Sequence, residues 1–167
     1  MVDANGRAGG IWCFWDSARW KLEMLQFSTQ FVHFAVSRGS LAWELTIIYA
    51  NPHPHFRIGL KRELRRIAEN IQNPWCILGD FNAVLKESEC KGGSSSACLR
   101  GDNAFRDFVL ECHLLDMCYQ GEPFTGKRGS LFERLDCVLV SLEWKMANPN
   151  SNVFHLNPFK SDHCPSC

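Results

Sequence analysis

Apolar residues in the first third of the chain gather in short runs: Ile11-Trp12-Cys13-Phe14-Trp15, Leu22 to Phe27, Phe31 to Val36 and Trp43 to Tyr49. Polar breaks at Asp16-Ser17 and Arg38-Gly39-Ser40 separate them. Runs of this length, rich in aromatic and β-branched side chains, predict four successive strands in an antiparallel meander. In the third run Phe31, His33 and Ala35 alternate with Val32, Phe34 and Val36, so that strand is expected to be covered on both faces. His33 then reads as a satisfied interior or edge histidine in preference to a ligand. From Arg57 to Gln72 the period lengthens, with Leu60, Leu64, Ile67 and Ile71 at spacings of four, three and four. That is one face of a helix packed on the sheet. Arg57, Lys61 and Arg65, with Arg62 and Arg66 alongside, fall on another face, read as solvated, with nucleic-acid contact as the lesser alternative.

The next run, Trp75-Cys76-Ile77-Leu78, predicts a buried strand over 75–81 that closes a strand-helix-strand unit and ends in Gly79-Asp80-Phe81-Asn82. Asp80 and Asn82 project from one side of an extended segment, and Gly79 permits a tight turn. A carboxylate and an amide so placed suit a hard divalent cation and the phosphate oxygen beside it; the same residues could equally cap a turn with their own side chains. Residues 86–101, rich in Gly and Ser, predict a mobile surface loop, and Asp102 or Asn103 can cap a helix lined by Phe105, Phe108, Val109 and Cys112. Beyond it, Leu114 to Tyr119 predicts a strand. Phe124-Thr125-Gly126 and Leu131 to Val140 predict a hairpin about Lys127-Arg128-Gly129. A short helix from Ser141 to Met146 and a strand near Val153 to Leu156 follow.

Composition narrows the possibilities. With 167 residues, 46% of them hydrophobic, the chain is expected to form one globular domain from Gly10 to Cys167 after a polar tail at 1–9. Zero formal net charge argues against strong nonspecific attraction to nucleic acid. No apolar stretch approaches the roughly 20 residues of a membrane span, and nothing calls for an obligate protein partner. The nine cysteines are mostly scattered singly and no secretory signal precedes them, so free thiols in an intracellular setting are expected. Cys164-Pro-Ser-Cys167 has redox or zinc spacing but lacks a second pair, and Cys112, His113 and Cys118 read as core.

Four motifs in order carry a family resemblance: Tyr49-Ala50-Asn51-Pro52, Gly79-Asp80-Phe81-Asn82, Glu133-Arg134-Leu135-Asp136 and Ser161-Asp162-His163-Cys164-Pro165. Together with Gly9-Gly10-Ile11-Trp12 and Gly121-Glu122-Pro123-Phe124-Thr125, they make the chain resemble the endonuclease/exonuclease/phosphatase superfamily. More closely it resembles the apurinic-endonuclease-like domain of plant LINE-type (non-LTR) retrotransposons. The resemblance implies a DNase I-like α/β (α+β) fold, a four-layer sandwich of two mixed β-sheets flanked by helices, here incomplete. It implies a phosphodiesterase that nicks DNA using Mg²⁺, with Mn²⁺ as a substitute, and a nuclear location if active.

Residue by residue, it implies that Asp80 handles the nucleophilic water or the metal, with Asp162 near that metal, and that Asn82 orients the substrate. His163 would contact the phosphate and manage protons, Asp136 would orient its ring, and Tyr49 would donate its hydroxyl to the developing charge. The family's upstream asparagine and metal-binding glutamate have no counterpart here, since no glutamate precedes Glu23. Gly126 and Cys137 stand where an aromatic residue and an arginine are common. Impaired catalysis is therefore expected of these residues alone, with a non-catalytic remnant or a phosphatase of the same superfamily as alternatives.

Overall fold

Three of the four expected amino-terminal strands form, and they make an antiparallel meander: β1 (Lys21–Phe27), β2 (Phe31–Arg38) and β3 (Leu41–Tyr49). The computed structural model describes residues 10–93 and 102–156. The first apolar run does not become a strand. Ile11 makes a single bridge and is buried, while Trp12, Phe14 and Trp15 are exposed outside any ladder. Apolar character alone does not supply the backbone partners that a strand requires. His33 is interior as expected: its Nδ1 is 2.9 Å from Thr46 Oγ1 and its Nε2 3.1 Å from Glu44 Oε2. Burial pushes its pKa down against the opposing pull of Glu44.

Helix α1 (Pro54–Asn70) opens with proline in its first turn, where a missing N–H costs nothing, and buries Leu60, Leu64 and Ile67 against the sheet. The chain returns as β4 (Trp75–Asp80), parallel to β3. A single 3₁₀ turn at Glu87–Glu89 leads into β5 (Cys90–Lys91), so the start of the expected loop is ordered and Glu89 is buried. Residues 94–101 lie outside the described residues. Helix α2 (Asn103–Glu111) begins at Asp102, whose side chain accepts the Phe105 N–H. The strand expected over 114–119 is two pieces, β6 (Leu115–Asp116) and β7 (Tyr119–Gly121), which join different sheets. The expected hairpin forms between β8 (Gly126–Arg128) and β9 (Leu131–Glu133). Its second arm is broken at Arg134-Leu135, after which β10 (Asp136–Val140) enters the main sheet. Helix α3 (Leu142–Ala147) and β11 (Val153–His155), parallel to β7, complete the described part.

The main sheet has the order β1-β2-β3-β4-β10-β6, and two small sheets, β5-β9-β8 and β11-β7, accompany it. Helices α1 and α2 cover one face, with Phe31, Ile48, Ile77, Leu139, Phe105 and Phe108 fully or almost fully buried between them. On the other face Val32, Phe34 and Val36 cluster with half-buried Trp43, Leu45 and Ile47.

The basic face of α1 is a correction. Arg57 and Lys61 are buried, not solvated: Arg57 Nη2 donates to Asp102 Oδ2 at 3.0 Å and Lys61 Nζ to Oδ1 at 2.9 Å. Arg65 pairs with Glu111. Both cations are desolvated against one carboxylate, which only partly offsets the burial that pushes the Lys61 pKa down, and that carboxylate lies 45 residues away from Arg57, where helical spacing gives no warning. Cysteine state departs from expectation at one position: Cys90 is disulfide-bonded, while Cys13, Cys76, Cys112, Cys118 and Cys137 are free.

Burial raises the pKa of Asp102, but hydrogen bonds and charge from Lys61 and Arg57 outweigh it and hold the carboxyl below its ordinary value. A group depressed in the folded state adds stability above its unfolded pKa of about 3.9, and that stability is lost as pH falls through the lower folded value. Asp102→Asn should therefore cost about 1.5–3 kcal/mol at neutral pH, the range for hydrogen bonds to charged groups. It should also flatten the loss of stability on acidification. Urea titrations across pH 3–7 read both effects. An unchanged acid slope would show that another carboxylate governs it.

Strand β1 is the edge of the main sheet and leaves Met24, Leu25 and Phe27 about half exposed or more. An unprotected apolar edge templates association. The chain should bind an apolar-surface dye and self-associate, and Met24→Lys with Phe27→Lys should lower both in light scattering. A soluble monomer without dye binding would count against this.

Candidate active site

Register, more than any single residue, builds the site. Across β3, β4 and β10 the aligned residues form successive rungs: Leu45–Cys76–Val140, Ile47–Leu78–Val138, then Tyr49–Asp80–Asp136. Side chains of paired residues share a face, so the third rung continues an apolar stripe on the face opposite α1 and α2 and turns it polar at the strand ends. β4 is interior to the sheet, and Asp80 stands at its carboxyl end with only 7% of its surface exposed. The parallel β3–β4 pairing exists because α1 provides the crossover that parallel strands need.

Asn82 follows in the left-handed region at φ +47°, a conformation asparagine tolerates better than most residues. Its backbone N–H donates to Asp80 Oδ1 at 2.7 Å, while Nδ2 donates to Asp80 Oδ2 at 2.9 Å and to the Ala50 carbonyl at 2.8 Å. The turn-capping alternative is thus realised, and it holds the carboxylate in a fixed orientation rather than excluding chemistry. Each Asp80 oxygen accepts a bond from Asn82. Ala50 N–H donates to the Asp80 carbonyl at 2.7 Å, which ties the Tyr49-Ala50-Asn51-Pro52 motif to the strand end.

Of the residues predicted from sequence, Tyr49, Asp80, Asn82 and Asp136 therefore come together at one rim. Asp162 and His163 lie outside the described residues, as does Cys164-Pro-Ser-Cys167. Among the described residues no group of three His, Cys, Asp or Glu side chains could hold a metal ion.

Sequence reasoning missed what supports the rim. Arg134, almost fully buried, donates from Nη1 to Glu89 Oε1 at 2.8 Å and from both Nη atoms to the Asp116 carboxylate at 2.6 and 2.9 Å. Burial works against its charge, but Asp116 and Glu89 hold the guanidinium protonated beyond its ordinary range. Glu89 in turn accepts the Leu85 and Lys86 N–H groups, and Arg134 lies 4.8 Å from the Tyr119 ring centre. Its presence in Glu133-Arg134-Leu135-Asp136 was the available signal; its partners are too distant in sequence to be read.

No protein-family model matches the sequence, and no curated protein matches it either. Solved structures do match, and they define the class: the chain has a DNase I-like fold, mixed α/β with several sheets flanked by helices. Among them is the endonuclease domain of TRAS1, a telomere-specific non-LTR retrotransposon, at 17% identity and TM-score 0.63, covering 87% of this chain and 67% of that one. An endonuclease/exonuclease/phosphatase family protein from Leptotrichia buccalis matches at 16% identity and TM-score 0.52, covering 81% and 50%. A Staphylococcus aureus beta-toxin variant with bound magnesium ions matches at 13% identity and TM-score 0.51, covering 83% and 53%. The chain spans between half and about two thirds of the length of these structures. Among the described residues no helix is long and apolar enough to cross a membrane.

Proposed function

We propose that this chain is a phosphodiesterase domain of retrotransposon origin that nicks DNA with Mg²⁺ or Mn²⁺. The observation that carries the reading is the Tyr49–Asp80–Asp136 rung with Asn82 locked against it. Two carboxylates and an amide oxygen at the ends of paired strands offer oxygen donors to a hard cation, and the Tyr49 phenol offers a hydrogen-bond donor to a phosphate. Oxygen donors of this kind suit magnesium better than zinc.

Asp80, with Asp162, would hold the ion, whose bound charge would neutralise the attacked phosphate. Asp80 also serves as acceptor for a proton from an attacking water, and Asn82 fixes the angle at which it does so. Tyr49 donates its hydroxyl toward the phosphorane oxygens. The resemblance assigns to His163 proton exchange with the phosphate ester and to Asp136 the orientation of its ring. The resemblance in sequence, the TRAS1 endonuclease fold and this rim support one reading, in which DNA is the partner.

Supercoiled plasmid incubated with the chain and Mg²⁺, against the same mixture with EDTA, tests it. Metal-dependent conversion to open circles is the expected result, at a low rate because the residues that stand for the family's asparagine and glutamate are not among these 167. Hydrolysis of phosphomonoesters with intact plasmid would instead identify a phosphatase.

A further inference from the structure

We propose that Thr125 is a positioning residue for the rim, acting through backbone bonds and not through substrate; the inference rests on the phosphodiesterase reading above. Thr125 is 1% exposed, and among the described residues its polar contacts run to the segment where the chain leaves β9 for β10. Its N–H donates to the Glu133 carbonyl at 3.0 Å. Its Oγ1 accepts both the Leu135 and the Asp136 N–H groups at 2.9 Å. One hydroxyl thereby satisfies two consecutive donors at the point where the second arm of the hairpin is broken and changes sheets. A backbone making that change cannot satisfy them by continuing a ladder, and orphaned buried donors are costly.

The consequence reaches both halves of the site. Asp136 is held at its own N–H, so its place opposite Asp80 depends directly on this contact. The Leu135 carbonyl accepts the Phe81 N–H at 2.9 Å, and Phe81 lies between Asp80 and Asn82. Thr125, Leu135 and Phe81 thus form one continuous line of bonds that sets the separation between the segment bearing Asp136 and the segment bearing Asp80 and Asn82. Threonine is suited to the task because its hydroxyl oxygen has two lone pairs, one for each N–H, while its methyl group fills the apolar interior. Valine keeps the shape and loses both acceptors. Serine keeps the acceptors and loses only the methyl.

Single-turnover nicking of a fluorescent DNA duplex with Mg²⁺ by the full chain, compared for wild type, Thr125→Val, Thr125→Ser and Asp80→Ala, decides the matter. Amide exchange is followed in parallel at Leu135 and Asp136. Thr125→Val should lower the maximal rate by about 10- to 100-fold, the scale of a misplacement near 1 Å, with little change in the DNA concentration giving half-maximal rate. It should speed exchange at the two amides, and Thr125→Ser should restore both readouts. Thr125→Val with wild-type rate while the two amides exchange faster overturns the proposal and leaves the phosphodiesterase reading intact. So does a Ser variant as slow as the Val variant while its amides stay protected. A wild-type rate no higher than that of Asp80→Ala overturns the phosphodiesterase reading itself. If the Val variant does not fold, the Ser variant and its exchange pattern carry the same distinction.

Discussion

Replacing Asp80 by alanine is expected to reduce Mg²⁺-dependent nicking to the level of the EDTA control. Two losses combine. The rim loses the carboxylate proposed to hold the ion and to accept a proton, and a preorganised group of this kind is commonly worth about 10²–10³-fold in rate. Asn82 loses both anchors on Asp80 Oδ1 and Oδ2, so a residue held at φ +47° keeps, among the described residues, the Ala50 carbonyl as partner. Asp80→Asn separates these effects. It retains an acceptor for the Asn82 N–H but removes the charge and puts an amide donor where Oδ2 accepted from Asn82 Nδ2, so it should be as inactive as the alanine variant. Its melting midpoint should fall less than that of the alanine variant, because one of the two Asn82 anchors survives. Plasmid nicking and thermal melting on the same preparations give both quantities. Wild-type nicking by Asp80→Asn would place the chemistry elsewhere.

The largest loss of stability is expected at Gly79. It lies at φ +130°, and a Cβ built there would stand 2.1 Å from the Ile48 carbonyl oxygen, well inside contact distance. The obstacle is backbone of the neighbouring strand, not the end of a flexible side chain, so relief requires β3 and β4 to part. Ile48 and Gly79 are register partners one rung before Tyr49 and Asp80. Gly79→Ala should cost about 4 kcal/mol or more, the range reserved for strain that packing cannot absorb, against a total stability typically near 5–15 kcal/mol. Denaturant midpoints measure this directly. A cost below about 1 kcal/mol would mean that the strands yield there as easily as an ordinary surface position.

Much of the architecture was legible because its determinants are local. Strand runs, the four-three-four spacing of α1, the Asp102 cap and the glycine turn of the β8–β9 hairpin each need only a few neighbouring residues to specify them. The strand-helix-strand unit followed, since a crossover helix makes the flanking strands parallel. What failed was whatever depended on a distant partner. Ile11 to Trp15 has the composition of a strand but makes only a bridge at Ile11, and Leu114 to Tyr119 divides between two sheets. Arg57 and Lys61 have the spacing of a solvated face until Asp102 arrives beneath them.

The site divides along the same line. By itself the sequence determined which residues could do chemistry: a carboxylate and an amide at the end of an apolar run, a tyrosine closing the preceding strand and an aspartate opening a later one, in the order that resembles a known superfamily. These are properties of composition and order, and they survive without coordinates. Only the tertiary structure decided that Tyr49, Asp80 and Asp136 are one rung, that Asn82 clasps Asp80 at both oxygens, that Thr125 accepts the Leu135 and Asp136 N–H groups, and that Arg134 is buried against Asp116 and Glu89. The physical reason is that register, burial and hydrogen-bond pairing arise between segments far apart in the chain, where a difference of one residue would turn every side chain to the opposite face.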